Sequence, residues 1–161
     1  TGLAQLFGMP FVVLRKPVPF DTTTLNFNWQ VWDTKAFSLY SRSTEKIDKK
    51  GADMAIAAVC RFLSRMNVLN YNVYGGYEST VLIEEELVSL RSTASGLYIP
   101  HVKSFDSVER GQVLADIIDP LTGVTVAQTE APEDGIVFFA KDSPLVMENE
   151  TLFKIVNKLH K

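Results

Sequence analysis

The sequence has a single cysteine, Cys60, only two histidines, His101 and His160, and no long apolar run. One thiol cannot form an internal disulfide, so packing must hold the fold, and the usage fits a reducing cytoplasm. Two histidines far apart, with no His-x-x-Glu, no Cys-x-x-Cys and no second cysteine, supply too few ligands for a metal site. No stretch approaches the ~20 apolar residues needed to cross a bilayer. Residues 1–8 lack the basic start and the cleavage site of a signal peptide. With a net charge of −3 and no basic run or stripe, nucleic acid is a poor partner. A phosphate-cradling glycine loop and a Gly-x-Ser-x-Gly nucleophile elbow are also missing. The expectation is a cytoplasmic chain with no cofactor of its own, no membrane segment and no nucleic-acid partner.

What is present is globular: 46% of the 161 residues are hydrophobic. The first seventy residues read as alternating helix and strand. Residues 2–7 look like a helix end stopped by Gly8 and Pro10. Phe11-Val12-Val13-Leu14 is a continuous apolar run of the kind found in a buried parallel strand. A proline- and threonine-rich loop follows, then an ambiguous segment from Leu25 to Trp32 that could be helical, then a second strand over residues 36–40. Asp48 can cap a helix carrying Ala52, Ala55, Ile56, Val59, Cys60, Leu63 and Met66 on one apolar face. That spacing makes Cys60 a core residue rather than a nucleophile, and leaves Lys49, Lys50, Arg61 and Arg65 on a solvated face.

Two strands in about seventy residues cannot build a parallel sheet with its own core. The segment must either borrow strands from another chain or be a piece of something longer, and the second is the expectation. An exposed sheet edge could then make the chain self-associate, a possible homo-oligomer.

Residues 71–79, with Gly75-Gly76, read as a connector. From residue 80 the pattern changes to short strands with turns every eight to twelve residues, an all-β signature. Candidate strands are 80–86, 86–92, 96–99, 112–118, 124–129, 135–139 and 152–156. The triplet Glu84-Glu85-Glu86, on a strand, would point to alternate faces and could not converge on one site. Both histidines are read as solvated, His101 in a turn and His160 in the tail.

The β half repeats itself. Gly96-Leu97-Tyr98-Ile99 and then Val108 to Ile118 match Gly135-Ile136-Val137-Phe138 and then Val146 to Val156. Each copy has a glycine-led strand, a turn, a valine before a polar tight turn, and an alternating strand. Neither copy could bury its apolar face alone, so the two should pack as a pseudo-symmetric pair. With Ala131-Pro132-Glu133-Asp134-Gly135-Ile136-Val137, this half resembles the barrel-sandwich architecture of biotinyl and lipoyl domains over about the last seventy residues. Those domains carry a modified lysine on the hairpin between their halves. The corresponding Asp119-Pro120-Leu121-Thr122-Gly123 has none, so covalent biotin or lipoate is not expected.

Taken in order, the features resemble the C-terminal half of the succinylglutamate desuccinylase/aspartoacylase family. The resemblance rests on Leu6-Phe7-Gly8-Met9-Pro10-Phe11-Val12-Val13, on Ala36-Phe37-Ser38-Leu39 before Ile47-Asp48 and the long helix, and on the β repeat. It implies a carboxypeptidase-like α/β segment over residues 1–70, a connector over 71–79 and a barrel-sandwich β domain over 80–158. It also implies a zinc-dependent deacylase acting on a small acylated amino acid, with the zinc ligands in a missing N-terminal half. The family's general base is a glutamate at the end of the strand matching residues 36–40, and the matching position holds Tyr40. A phenol of ordinary pKa ~10 is a poor base at neutral pH. Glu45, five residues on, is the alternative base; a degenerate site, and hence a non-catalytic binding or assembly module, is the other reading.

Overall fold

The computed structural model describes residues 2–40, 47–72 and 75–157. The architecture is mixed α/β with mostly antiparallel sheets and few helices, and the chain divides into two units, Thr1–Glu84 and Glu85–Lys161.

In the first unit, helix α1 (Gly2–Gln5) ends in turns before Gly8, whose φ of 61° is the left-handed conformation a helix stop uses. Strand β1 (Phe11–Leu14) follows and pairs in parallel with β2 (Thr80–Ile83), Phe11 opposite Thr80 and Leu14 opposite Ile83. The all-apolar run at β1 is therefore a parallel strand, as its composition predicts. Its partner differs from the expectation: residues 80–83, which read as part of the β half, pair with β1 and fall in the first unit. Residues 36–40, expected as the second strand, form no ladder. An extended segment is a strand only when a neighbour accepts its backbone hydrogen bonds, and no described strand lies alongside it.

Thr24 caps helix α2 (Leu25–Val31), its hydroxyl accepting from the Phe27 amide at 3.3 Å, which settles the ambiguous segment as helical. Helix α3 (Lys49–Arg65) starts where expected, with the Asp48 carboxylate accepting from the Gly51 amide at 3.0 Å. The face it buries does not match the expectation. Gly51, Ala58 and Arg61 are its buried residues, while Ile56 and Val59 of the supposed core face are exposed. Arg61, expected in solvent, is only 8% exposed. Ala58 and Leu82 are the buried apolar residues described in this unit. The periodicity identified the helix correctly, but the apolar stripe has little to pack on here.

The second unit has a core. One sheet runs β3 (Val88–Arg91), β10 (Thr151–Asn157), β8 (Gly135–Ala140), β5 (Ser107–Val108); the other runs β7 (Thr125–Glu130), β6 (Val113–Ile118), β4 (Gly96–Pro100), β9 (Leu145–Val146). Val108, Leu114, Ile117, Val137, Leu152, Phe153 and Ile155 are fully buried between them. Leu114 with Ala115 on β6, and Leu152 with Phe153 on β10, are adjacent buried pairs that break strict alternation at register shifts, between Val113 and Ala115 and between Thr151 and Phe153. Residues 84–86 form a 3-10 turn rather than a strand, so the glutamate triplet is not spread over two sheet faces. Strands β5 and β9, two residues each, carry too short an alternation to be legible in sequence.

The repeat is a structural pseudo-two-fold. Each four-stranded sheet holds two long strands of one copy, the short middle strand of the other and an outer strand, β3 or β7, with β5 crossing to β8 and β9 crossing to β4. Equivalent bonds recur: Gly111 donates to the Ala131 carbonyl at 2.7 Å and Asn149 to that of Ser92 at 2.8 Å, both from positive φ. Gln112 and Glu150 likewise each accept from the amide three residues back. Neither copy closes a sheet without the other, which is the packing logic expected of a duplicated half-domain.

Candidate functional site

Tyr40 lies at the end of the extended segment 36–40 and its side chain is largely in solvent, 78% exposed. Helix α2 holds the segment from one side. The Gln30 amide donates to the Ala36 carbonyl at 3.1 Å, and that of Asn26 donates to the Ser38 hydroxyl at 2.8 Å. Phe37 meets the Phe7 ring edge-on at 5.7 Å, and Phe7 stacks on Phe62 of α3 at 4.2 Å. This aromatic chain fixes where the segment leaves the helices. Glu45, the alternative base, lies outside the described residues, as does His160. No group of three or more His, Cys, Asp or Glu able to hold a metal occurs among the described residues. Cys60 is half-buried on α3.

Arg61 is a buried charged group of this unit. Its guanidinium donates to the Phe7 carbonyl at 2.5 Å, and Arg65, one turn on, donates to the Leu6 carbonyl at 2.9 Å. Cations at the carbonyl end of a helix complement its dipole and satisfy orphan acceptors. Gly8 and Gly76 flank Arg61 so closely that a Cβ on either would sit 2.9 or 2.8 Å from its side chain. The Tyr77 amide then donates to the Gly8 carbonyl at 2.9 Å. Gly75-Gly76, expected as a simple connector, therefore also makes room for a buried arginine that sets the approach to β1 and β2. An open depression lined by Gln5, Arg65, Gly76, Tyr77, Glu78 and Ser79 lies beside it.

In the second unit the structure assembles a cluster that the sequence did not reveal. His101 Nε2 lies 2.9 Å from one oxygen of Asp116, and Gln128 donates to the other at 2.8 Å. The Gln128 bond, then that of His101, holds the Asp116 carboxyl below its usual range. All three project from the outer face of the β4–β6–β7 sheet, where Asp116 stands opposite Gln128. Period-two alternation could have put Asp116 on that face, but its pairing with a histidine fifteen positions back needed the strand register. The cluster is a hydrogen-bonded group on the sheet surface, and no hydroxyl or thiol joins His101 among the hydrogen bonds described.

The hairpin 119–123 is tied by its own hydrogen bonds. Asp119 accepts from the Leu121 and Thr122 amides at 2.7 and 3.1 Å, which lowers its pKa, and Gly123 closes the turn at φ 71°. Leu121 stands at its tip, 94% exposed. Among the described residues, no helix is long and apolar enough to cross a membrane.

No family model matches the sequence, and no curated protein matches it either. Solved structures do. A succinylglutamate desuccinylase/aspartoacylase from Rhodobacter sphaeroides covers 99% of this chain and 49% of its own, at 14% identity and a TM-score of 0.77. A succinylglutamate desuccinylase from Silicibacter sp. TM1040 covers 97% and 48%, at 12% identity and a TM-score of 0.79. The product-bound ectoine utilization protein EutE (DoeB) from Ruegeria pomeroyi covers 98% and 48%, at 14% identity and a TM-score of 0.76. The chain spans about half the length of these structures. Over nearly all of its residues, it has the fold of a corresponding half of succinylglutamate desuccinylase/aspartoacylase family proteins, the family that the sequence resembles.

Proposed function

We propose that this chain is the C-terminal portion of a zinc-dependent deacylase that hydrolyses the amide of a small N-acylated amino acid, and that it is not competent alone. The observation that carries the reading is the fold match over 97–99% of the chain with about half of each solved desuccinylase-like protein. Zinc belongs, in this proposal, to the part of the protein that this chain does not contain. The described residues offer no group of three or more His, Cys, Asp or Glu that would hold it.

In a parent enzyme, this chain would contribute Tyr40 at the position of the family's general base. A phenol there would orient a water or a substrate carbonyl by hydrogen bonding more readily than it would take a proton at neutral pH. The glycine-led halves, each lending its short strand to the other, support reading the second unit as a barrel-sandwich domain of biotinyl/lipoyl type. Its hairpin presents Leu121 where a carrier would present lysine, so it would act by shape and packing and not by carrying a group. The location proposed is the cytoplasm.

The test is zinc content and hydrolysis of acetyl-, succinyl- and other N-acyl amino acids by the whole gene product and by this chain, after extensive dialysis. Near-stoichiometric zinc and turnover in the first but not the second would support the proposal. Tyr40→Glu in the whole product should then raise turnover if Tyr40 occupies the base position. Zinc and turnover in neither would favour the second reading, a non-catalytic binding or assembly module, which the tyrosine at that position motivates.

A further inference from the structure

We propose that the open depression of the first unit binds a free α-amino acid with an uncharged side chain, its carboxylate on Arg65 and its ammonium group on Glu78. The site goes beyond the reading under Proposed function and does not depend on it, since Tyr40 is not among the residues that line it.

The depression has a volume of about 430 Å³ and is lined by Gln5, Arg65, Gly76, Tyr77, Glu78 and Ser79. Small-molecule pockets begin at roughly 300 Å³, so there is room for one amino acid. Its two charged side chains have opposite sign, and neither is neutralised within the protein. Arg65 gives one nitrogen, Nη1, to the Gln5 and Leu6 carbonyls at 3.4 and 2.9 Å. Among the described residues, no acceptor takes the protons of its Nε or Nη2, and no ion pair includes Arg65 or Glu78. Their charged atoms therefore stand more than 4.0 Å apart, across a shared depression. A ligand carrying both charges can bridge that gap. A simple anion would meet the carboxylate of Glu78, and a simple cation the guanidinium of Arg65.

Arg61 decides which end of the ligand lies where. It sits one turn before Arg65 on α3, is 8% exposed, and its Nε has no hydrogen-bond partner. No carboxylate of the described residues is paired with it. Gly76 is the wall in front of it, where a Cβ would stand 2.8 Å from that Nε. A buried cation is screened less than a solvated one, so the wall toward Arg61 and Arg65 carries a positive potential. The ligand's carboxylate belongs on that side, where the free edge of the Arg65 guanidinium can take both oxygens. The remaining described lining is neutral, and the half-exposed Tyr77 ring offers a surface for an aliphatic side chain.

Calorimetric titration of the whole gene product with L-leucine tests the proposal, beside two half-ligands. These are isocaproate, which lacks the ammonium group, and isoamylamine, which lacks the carboxylate. L-leucine should bind saturably at millimolar concentration or below, and each half-ligand at least ~10-fold more weakly, because each loses a charge-assisted hydrogen bond. Arg65→Gln and Glu78→Gln, both at exposed positions, should each weaken L-leucine by ~10-fold or more. Lys49→Gln, at the other end of α3, should leave its affinity unchanged. Isocaproate binding as tightly as L-leucine would reveal a plain anion site and overturn the proposal. It would equally fail if either lining variant left L-leucine affinity unchanged, which puts the ligand elsewhere, or if L-leucine showed no saturable binding in the tens of millimolar.

Discussion

Gly96 and Gly135 lead the first strand of each repeat, and alanine at either should destabilise the second unit. Neither glycine has a positive φ, so backbone conformation alone would tolerate a side chain. On that ground, Gly→Ala should stabilise by about 0.4–1 kcal/mol, because the unfolded chain loses freedom. The structure predicts the opposite sign. A Cβ at Gly96 would lie 2.5 Å from the Ile118 carbonyl oxygen, and one at Gly135 would lie 2.6 Å from that of Val156 and 2.5 Å from Ile155 Cγ2. These are equivalent places in the two repeats, and the obstruction is backbone of the adjacent strand. That strand must retreat by about half an ångström or more, and overpacking of this kind costs roughly 1–3 kcal/mol. Set against the entropic gain, a net loss of about 1–2 kcal/mol remains, equivalent to roughly 5- to 30-fold faster exchange. Both tryptophans lie in the first unit, so the readout is native-state hydrogen exchange of the slowest amides in β6 and β10. Slower exchange in either variant would refute the close-approach argument.

Tyr98 is 4% exposed, and its hydroxyl has no hydrogen-bond partner in the structure; burial, then the charge of Asp142, raises its pKa. Tyr98→Phe should therefore be neutral or stabilising by up to about 1 kcal/mol, since an unsatisfied buried hydroxyl carries its own desolvation cost; slowed exchange of β4 amides would agree, and marked destabilisation would contradict it. Arg61→Met should strip the Phe7 carbonyl of its donor and cost about 1–3 kcal/mol, read as faster exchange at the Tyr77 and Thr80 amides, whose acceptors are Gly8 and Pro10. Three carboxylates of the second unit are held below their ordinary pKa, Asp116 by Gln128 and His101, Asp119 by its own hairpin amides, and Glu150 by Lys141 and the Met147 amide. A depressed carboxylate contributes stability that is fully present above its unfolded pKa of about 4 and is lost as pH falls through the folded value, so this unit should weaken on acidification below about pH 4. Asp116→Asn with Asp119→Asn should flatten that loss in an acid titration followed by circular dichroism.

Local chemistry was enough for much of this protein. The Asp48 cap, the apolar run at β1 and the two glycine-led repeats each depend on residues near one another in sequence. Near neighbours also made the hairpin 119–123 legible, and its lack of lysine. What required the tertiary structure depends on pairing. Residues 36–40 look like a strand in sequence and form none, because a strand is defined by a neighbour. Residues 80–83 join β1 across some seventy positions and leave the β half to which their composition assigned them. Arg61 is buried because Gly8 and Gly76 converge on it from distant parts of the chain, and His101 finds Asp116 only through the register of β4 on β6. Periodicity specifies which face of an element is apolar, but what lies against that face is decided by contacts that no local pattern contains.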